Sequence, residues 1–493
     1  MIRRIENAAD CAGRRIRALL LAVAGNESLF FFASFMSTLL FGSEMFTWHY
    51  SEAIRMILRY VIVPWGMAMC LLRLERRSRM ELAPQRWDVN ILFVLLLWIV
   101  VPFALRFGMT YENTKSWIEY SAVFFGLYAM ITEQAAEQRE RVFDQACAIM
   151  GVFSLVLGGA LMYCALTGAR IDSGWVLHYG TYTGAGFGFG VFNGAHLCAG
   201  IHYNVTGMTA LCCMMFSLAG LCRSKNSIMR FAYLLATVFM VILVVLTQSR
   251  TARYALVAAL GVGVYGRLAA SGRIRNGLLR HTAGMLAAAA VMVTAFAGAS
   301  MLTDAALAHY ANVANGNVVS AIPAAIAEES AEKPEAQHEV QAQEARAAVD
   351  ATLSQRTTIW KNLFQYWRSH PKEMLIGAGM GRIGEHIVEN TVHEEIGSVG
   401  THNTYLQFMA DFGLIGIGLL ALFFAVILLP VLRVFYAGPA KRIPGYHAMC
   451  MLVVGVLLTG LMESAPLGAM TPTDSALFFA LALLAPRGME IKA

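Results

Sequence analysis

Apolar residues run along this chain in long blocks, not in strand-like alternation. Blocks near the roughly 20 residues needed to cross a bilayer fall at about 28–47, 53–72, 89–105, 117–132, 143–167, 205–222, 229–247, 251–268, 281–302, 404–431, 446–464 and 473–486. They predict an all-α polytopic membrane protein with about twelve transmembrane helices. Two connections are long: one from about Thr167 to Asn204, and one of roughly a hundred residues from about Thr303 to His402. The chain therefore divides into a nine-helix membrane region (1–302), a large loop containing amphipathic helices (303–403) and a three-helix membrane region (404–493).

Composition agrees, because 57% of residues are hydrophobic, 14% are charged and the mean hydropathy is +0.56, outside the range of ordinary soluble domains. A basic arm with Arg3, Arg4, Arg14, Arg15 and Arg17 precedes the first block, and no small-residue cleavage site follows it. That pattern reads as an anchor and not as a removable signal. Most of the 38 lysines and arginines fall on the same side of the blocks as this arm. The positive-inside rule then places both termini in the cytoplasm and both long loops outside. The net charge of +6 is accounted for by topology and requires no nucleic-acid partner. The nine cysteines lie mostly in or beside the blocks and form no CxxC pair, so they read as small apolar side chains.

The large loop holds an acidic patch, AEESAEKPEAQHEVQAQEARAAVDA, which reads as a solvated helix or a mobile insert. Beyond it, Leu353, Arg356, Trp360, Leu363, Phe364 and Trp367 recur on one helical face that ends at His370-Pro371. Such a helix lies on the membrane surface, roofs a cavity or packs on the bundle. The charge of Arg356 must in any case meet an anion or solvent. Next comes LIGAGMGRIG, with Gly377, Gly379, Gly381 and Gly384. Without a surrounding βαβ unit or a P-loop lysine this is not a nucleotide site. A tight turn that brings backbone N–H groups near a ligand or another helix explains the glycines better.

Of the twelve histidines, only His281 and His447 fall on the inner side. His402 starts the tenth helix, with Thr401 or Asn403 available as N-cap. A helix N-terminus disfavours a second positive charge, so a neutral imidazole able to accept a proton is the expectation. The plainer alternative is an interfacial histidine bonded to a carbonyl. Arg250, with Arg253 one turn on, occupies a short outer turn, where it snorkels to headgroups or binds a phosphate. The first outer loop contributes Arg170 and a glycine-aromatic run suited to sugar stacking or to interfacial packing. His196, His202 and Asn204 lie where that loop re-enters the membrane. His386, His393, Glu394 and Glu395 match no strong zinc spacing, so no metal site is expected. No internal repeat is evident, and helices nine to twelve carry almost no midplane ionisable group beyond Glu463. Both facts weaken a transporter reading.

Three stretches, SRT (Ser249–Thr251), SQRTTIWKNLFQYWRSHPKEMLIGAGMG (Ser354–Gly381) and THNTYLQFMADFGLIGIGLL (Thr401–Leu420), together resemble the O-antigen ligase and O-antigen polymerase superfamily. Asp411 stands where that family commonly has an acidic residue. The resemblance implies a glycosyltransferase that uses no metal or cofactor. Its donor is a glycan on undecaprenyl diphosphate, and it works at the periplasmic face of the bacterial inner membrane, among membrane lipids. It implies that His402 deprotonates the acceptor hydroxyl while Arg250 and Arg356 hold the diphosphate. Asn403 (as cap or ligand), Arg253, Trp360, Arg170 and the glycines Gly377, Gly379 and Gly381 are the candidate substrate contacts. Lipid A core is the favoured acceptor, since the chain ends shortly after the last block. A polymerase of lipid-linked repeat units, a protein O-oligosaccharyltransferase and, from another class, a lipid-linked glycan transporter are the alternatives.

Overall fold

A computed structural model describes residues 130–134, 136–172, 177–179, 188–192, 196–200, 203–269, 274, 276–314, 355–379, 382–389, 400–436, 444–463 and 472–484, with isolated positions before them. The basic arm, nearly all of the first four apolar blocks, the acidic patch, His202, Leu353, Gly381, His393, Glu394 and Glu395 lie outside the described residues.

The remaining apolar blocks are helices. They are α1 (Ala136–Thr167), α2 (Tyr203–Arg223), α3 (Ser227–Leu246), α4 (Arg250–Ala269) and α5 (Gly277–Ala314). After the large loop come a helix α6 at 355–369, the short α7 (Pro371–Ile376), α8 (Thr404–Tyr436), α9 (Tyr446–Thr459) and α10 (Pro472–Leu484). Five described segments are long and apolar enough to cross a membrane: Glu137–Thr167, Tyr203–Arg223, Ser227–Leu246, Gly277–His309 and Thr404–Leu422. The protein is a membrane protein, mostly helical.

Helix α2 is the hub, packing against α1, α3, α4, α9 and α10. Its run Ala210–Ser217, which includes Cys212, Cys213, Met214, Met215 and Phe216, is buried throughout. Thiols and thioethers fill irregular gaps between crossing helices, which accounts for cysteines serving as core side chains. Helix α5 is the opposite case, with Leu278, Leu286, Val293 and Met301 exposed on a surface that suits lipid. It also runs past the expected end near Thr303 to Ala314.

The first long loop departs from the all-helical expectation. It forms a four-stranded antiparallel sheet, order β2-β1-β3-β4, from β1 (Ala169–Asp172), β2 (Leu177–Tyr179), β3 (Gly188–Phe192) and β4 (His196–Gly200). Strands of three to five residues, two of them glycine-bearing, are too short to show alternation. The sheet is tied to the bundle where the Ala199 N–H donates to Thr206 Oγ1 at 2.9 Å. Cys198 is buried in β4, and burial pushes its thiol up to about 12.

The large loop has a small core of its own. Ile359, Leu363 and Trp367 of α6 are buried against Ala378, Ile383, Ile387, Val388 and Ala410, while Phe364 stays half exposed. The apolar stripe of α6 therefore packs inward onto α8 and its neighbours, which sets where Arg356 projects.

Candidate active site

Helix α8 begins in a loop whose backbone is fixed from all sides. Asn403 is the N-cap: its Oδ1 accepts from the N–H groups of Tyr405 and Leu406, both at 3.0 Å, and its Nδ2 donates to Leu461 O at 3.0 Å. Thr401 is fully buried; its N–H donates to Gln407 Oε1 (3.0 Å) and its carbonyl accepts from Trp360 Nε1 (2.8 Å). Gln407 Nε2 in turn donates to Asp411 Oδ1 at 3.1 Å. The polar residues at the start of α8 thus brace one another one turn apart. Between the two clamped residues stands His402 with φ of +51°, a conformation that non-glycine residues seldom adopt. Such strain persists only when the surroundings over-determine it, and it clusters at functional sites.

The same loop meets the C-terminal end of α9. Thr404 N–H donates to the carbonyls of Gly460 (2.7 Å) and Glu463 (3.0 Å), Thr404 Oγ1 donates to Glu463 O (2.7 Å), and Tyr405 Oη donates to Leu457 O (2.7 Å). Orphan donors of one helix satisfy orphan carbonyls of another. Glu463 is thereby set beside His402, with its Oε2 3.8 Å from His402 Nδ1. Its Oε1 accepts from Arg356 Nη2 at 3.0 Å and from Asn204 Nδ2 at 2.7 Å. The Glu463 side chain is 13% exposed, against 33% for His402, so the imidazole is the more open of the two.

Arg250 stands at the head of α4. Ser249 caps α4, its Oγ accepting from Ala252 N–H at 3.2 Å, and Arg250 occupies the first helical position. A cation there opposes the helix macrodipole, an arrangement that an incoming anion relieves. The preceding Gln248 has φ of +55°; it and His402 are the two non-glycine residues with positive φ among those described. Both flank or form the site. The Tyr203 hydroxyl lies within electrostatic range of Glu463, Arg356 and Arg250. The Tyr203 ring stacks on His196 at 4.3 Å, and His196 Nδ1 lies 3.2 Å from Thr247 O.

The other expected site residues are placed as follows. Arg253 Nη1 donates to Thr303 Oγ1 at 3.0 Å, joining α4 to α5. Trp360 holds Thr401. Arg170 is buried in β1, opposite His178 and Gly190. His386 is exposed and stacks on Tyr366 at 4.8 Å. Gly377 and Gly379 lie against a break in α8 at Gly413 (φ +71°). Released by that break, the carbonyls of Ala410 and Asp411 accept from the N–H groups of Ala378 (2.9 Å) and Gly379 (3.1 Å). Of the two expected partners for these glycines, a ligand or another helix, the described contacts are with the helix. A Cβ on Gly377 would sit 2.1 Å from Asp411 O. Gly377→Ala is therefore expected to destabilise the protein by about 2 kcal/mol or more, read as a lower unfolding temperature in detergent. An unchanged transition would contradict the docking of the turn on the kink.

Sequence reasoning passed over Glu463 as a site residue. It stands some sixty positions from His402 and more than a hundred from Arg356, and no local spacing links them. Its one signal was an acid placed next to a membrane helix, which requires a partner.

Comparison with known proteins bears on this geometry. No curated protein matches the chain. Residues 235–421 match the family model described as O-antigen ligase. Arg250, Arg356 and His402 all fall within that match, which supports the O-antigen ligase superfamily.

Proposed function

We propose that the protein transfers a glycan from undecaprenyl diphosphate to an acceptor hydroxyl, with lipid A core as the favoured acceptor, at the periplasmic face of the inner membrane. The observation that carries this reading is that a partly open, strained His402 and Arg356 meet at the half-buried Glu463, with Arg250 within electrostatic range of the neighbouring Tyr203. His402 takes the acceptor proton as the acceptor oxygen attacks the anomeric carbon. The bond from that carbon to the diphosphate oxygen breaks, and the electron pair leaves on the diphosphate. Arg356 and Arg250 stabilise the charge that grows there, a role that charge-assisted hydrogen bonds from planar guanidinium groups fill well. Two arginines supply the stabilisation for which a divalent cation is the usual alternative. Asn403, Trp360 and Arg253 serve by holding the loop and helices in register.

Reconstitution in vesicles with a defined undecaprenyl-diphosphate glycan tests the acceptor. Lipid A core, a second lipid-linked repeat unit and a serine-bearing peptide are offered in turn. Transfer to lipid A core is expected. Transfer to the repeat unit alone would make the protein a polymerase, and transfer to the peptide alone a protein O-oligosaccharyltransferase. Movement of intact lipid-linked glycan across the vesicle with no transfer would make it a transporter.

A further inference from the structure

We infer that Glu463 is the positioning residue of this site, the carboxylate through which His402 and Arg356 are aligned with each other; the inference rests on His402 acting as the base. One side chain here touches three separate parts of the fold. Oε1 accepts from Arg356 on α6 and from Asn204 on α2, while Oε2 faces Nδ1 of His402 at the head of α8. The Glu463 main chain is fixed as well, because its carbonyl accepts from both Thr404 N–H and Thr404 Oγ1. A carboxylate so held faces the Nδ1 edge of the ring and fixes its orientation.

The charge balance follows step by step. When the acceptor proton moves to the imidazole, the ring becomes cationic beside a fixed anion, and the ion pair costs no rearrangement at that moment. The electron pair departs on the diphosphate, away from Glu463. Among the described residues, Arg356 meets Glu463 through Nη2, and a guanidinium has five donors in all with which to meet the leaving group as well. Among the described residues, the charged or titratable groups facing Glu463 are Arg356 and His402, with the Tyr203 phenol within electrostatic range; Asn204 is neutral. A purely structural strut would need the pairing with Arg356 and Asn204 but would have no use for the placement of His402 beside Oε2.

Glu463→Gln keeps the size and the accepting oxygen but removes the charge. In purified, reconstituted protein it is expected to lower kcat roughly 10- to 100-fold with little change in KM for donor or acceptor. Glu463→Asp should recover part of kcat. In a His402→Ala background, Glu463→Gln should cost less than about threefold more, as expected for a residue acting through the histidine. A folded Glu463→Gln protein with wild-type kcat, or with losses equal in both backgrounds, overturns the inference while leaving His402 as base. If Glu463→Gln fails to fold, Glu463→Asp decides: a wild-type kcat would overturn the inference. Wild-type transfer in His402→Ala alone would instead overturn the reading on which it rests.

Discussion

His402→Ala is expected to lose about 100- to 10,000-fold in transfer rate, the range for removal of a positioned general base, while folding as wild type. The two halves of that expectation have separate causes. The loop around His402 is held by its neighbours, through Thr401 to Gln407 and Trp360 and through Asn403 to Leu461. Its own side chain is a third exposed. Alanine also relieves little of the positive φ, so the strain stays while the base is gone. A chain that retains its unfolding temperature and loses transfer would have a functional histidine at this position. Equal loss of both would assign His402 to the fold.

The arginines give the second large effect, and the structure separates them. Arg250→Ala is expected to slow transfer by about 100- to 1000-fold, as for loss of one donor aimed at developing charge. Its stability should be unchanged or raised by about 0.3–1 kcal/mol, since the substitution removes a cation from a helix N-terminus. Arg356→Ala should be as slow but also less stable, because it leaves the Glu463 carboxylate, 13% exposed, without its guanidinium. Combining Arg356→Ala with Glu463→Gln should then restore much of the unfolding temperature without restoring transfer. Arg356→Lys should keep the charge and lose the planar fork, so transfer falls with less loss of stability. Thermal unfolding and initial rates on the same preparations check all four outcomes. Full transfer by Arg250→Ala would remove that residue from the reaction.

Much of this fold is visible in the apolar pattern. The spans expected at about 205–222, 229–247 and 251–268 differ from α2, α3 and α4 by one or two residues at each end. A membrane helix must satisfy its own backbone, and that obligation writes itself plainly into composition. The sheet at 169–200 was hidden because its strands are held by ladder bonds and by ties to α2, and short strands carry no pattern of their own. The break at Gly413 was hidden for a related reason. Within an apolar run a glycine costs about 1 kcal/mol and is often tolerated; only the approach of Gly377 from the loop shows why this one bends the helix. In the site, His402, Arg250 and Arg356 were legible because each is a charge or a titratable group in a place that resists one. Glu463 was not, since its meaning lies wholly in what the fold brings beside it, and Asn204 was marked only by its place where the first loop re-enters the membrane.

The central claim is that one chemical event joins glycan to acceptor and frees diphosphate at a site whose cations are arginines. The direct measurement is the ratio of undecaprenyl diphosphate released to glycan transferred, by purified wild-type protein in EDTA with lipid A core present. Equimolar release with rates unchanged by EDTA is the predicted result. Glycan transfer without release of undecaprenyl diphosphate, or transfer that appears only on adding Mg²⁺ or Mn²⁺, would contradict it.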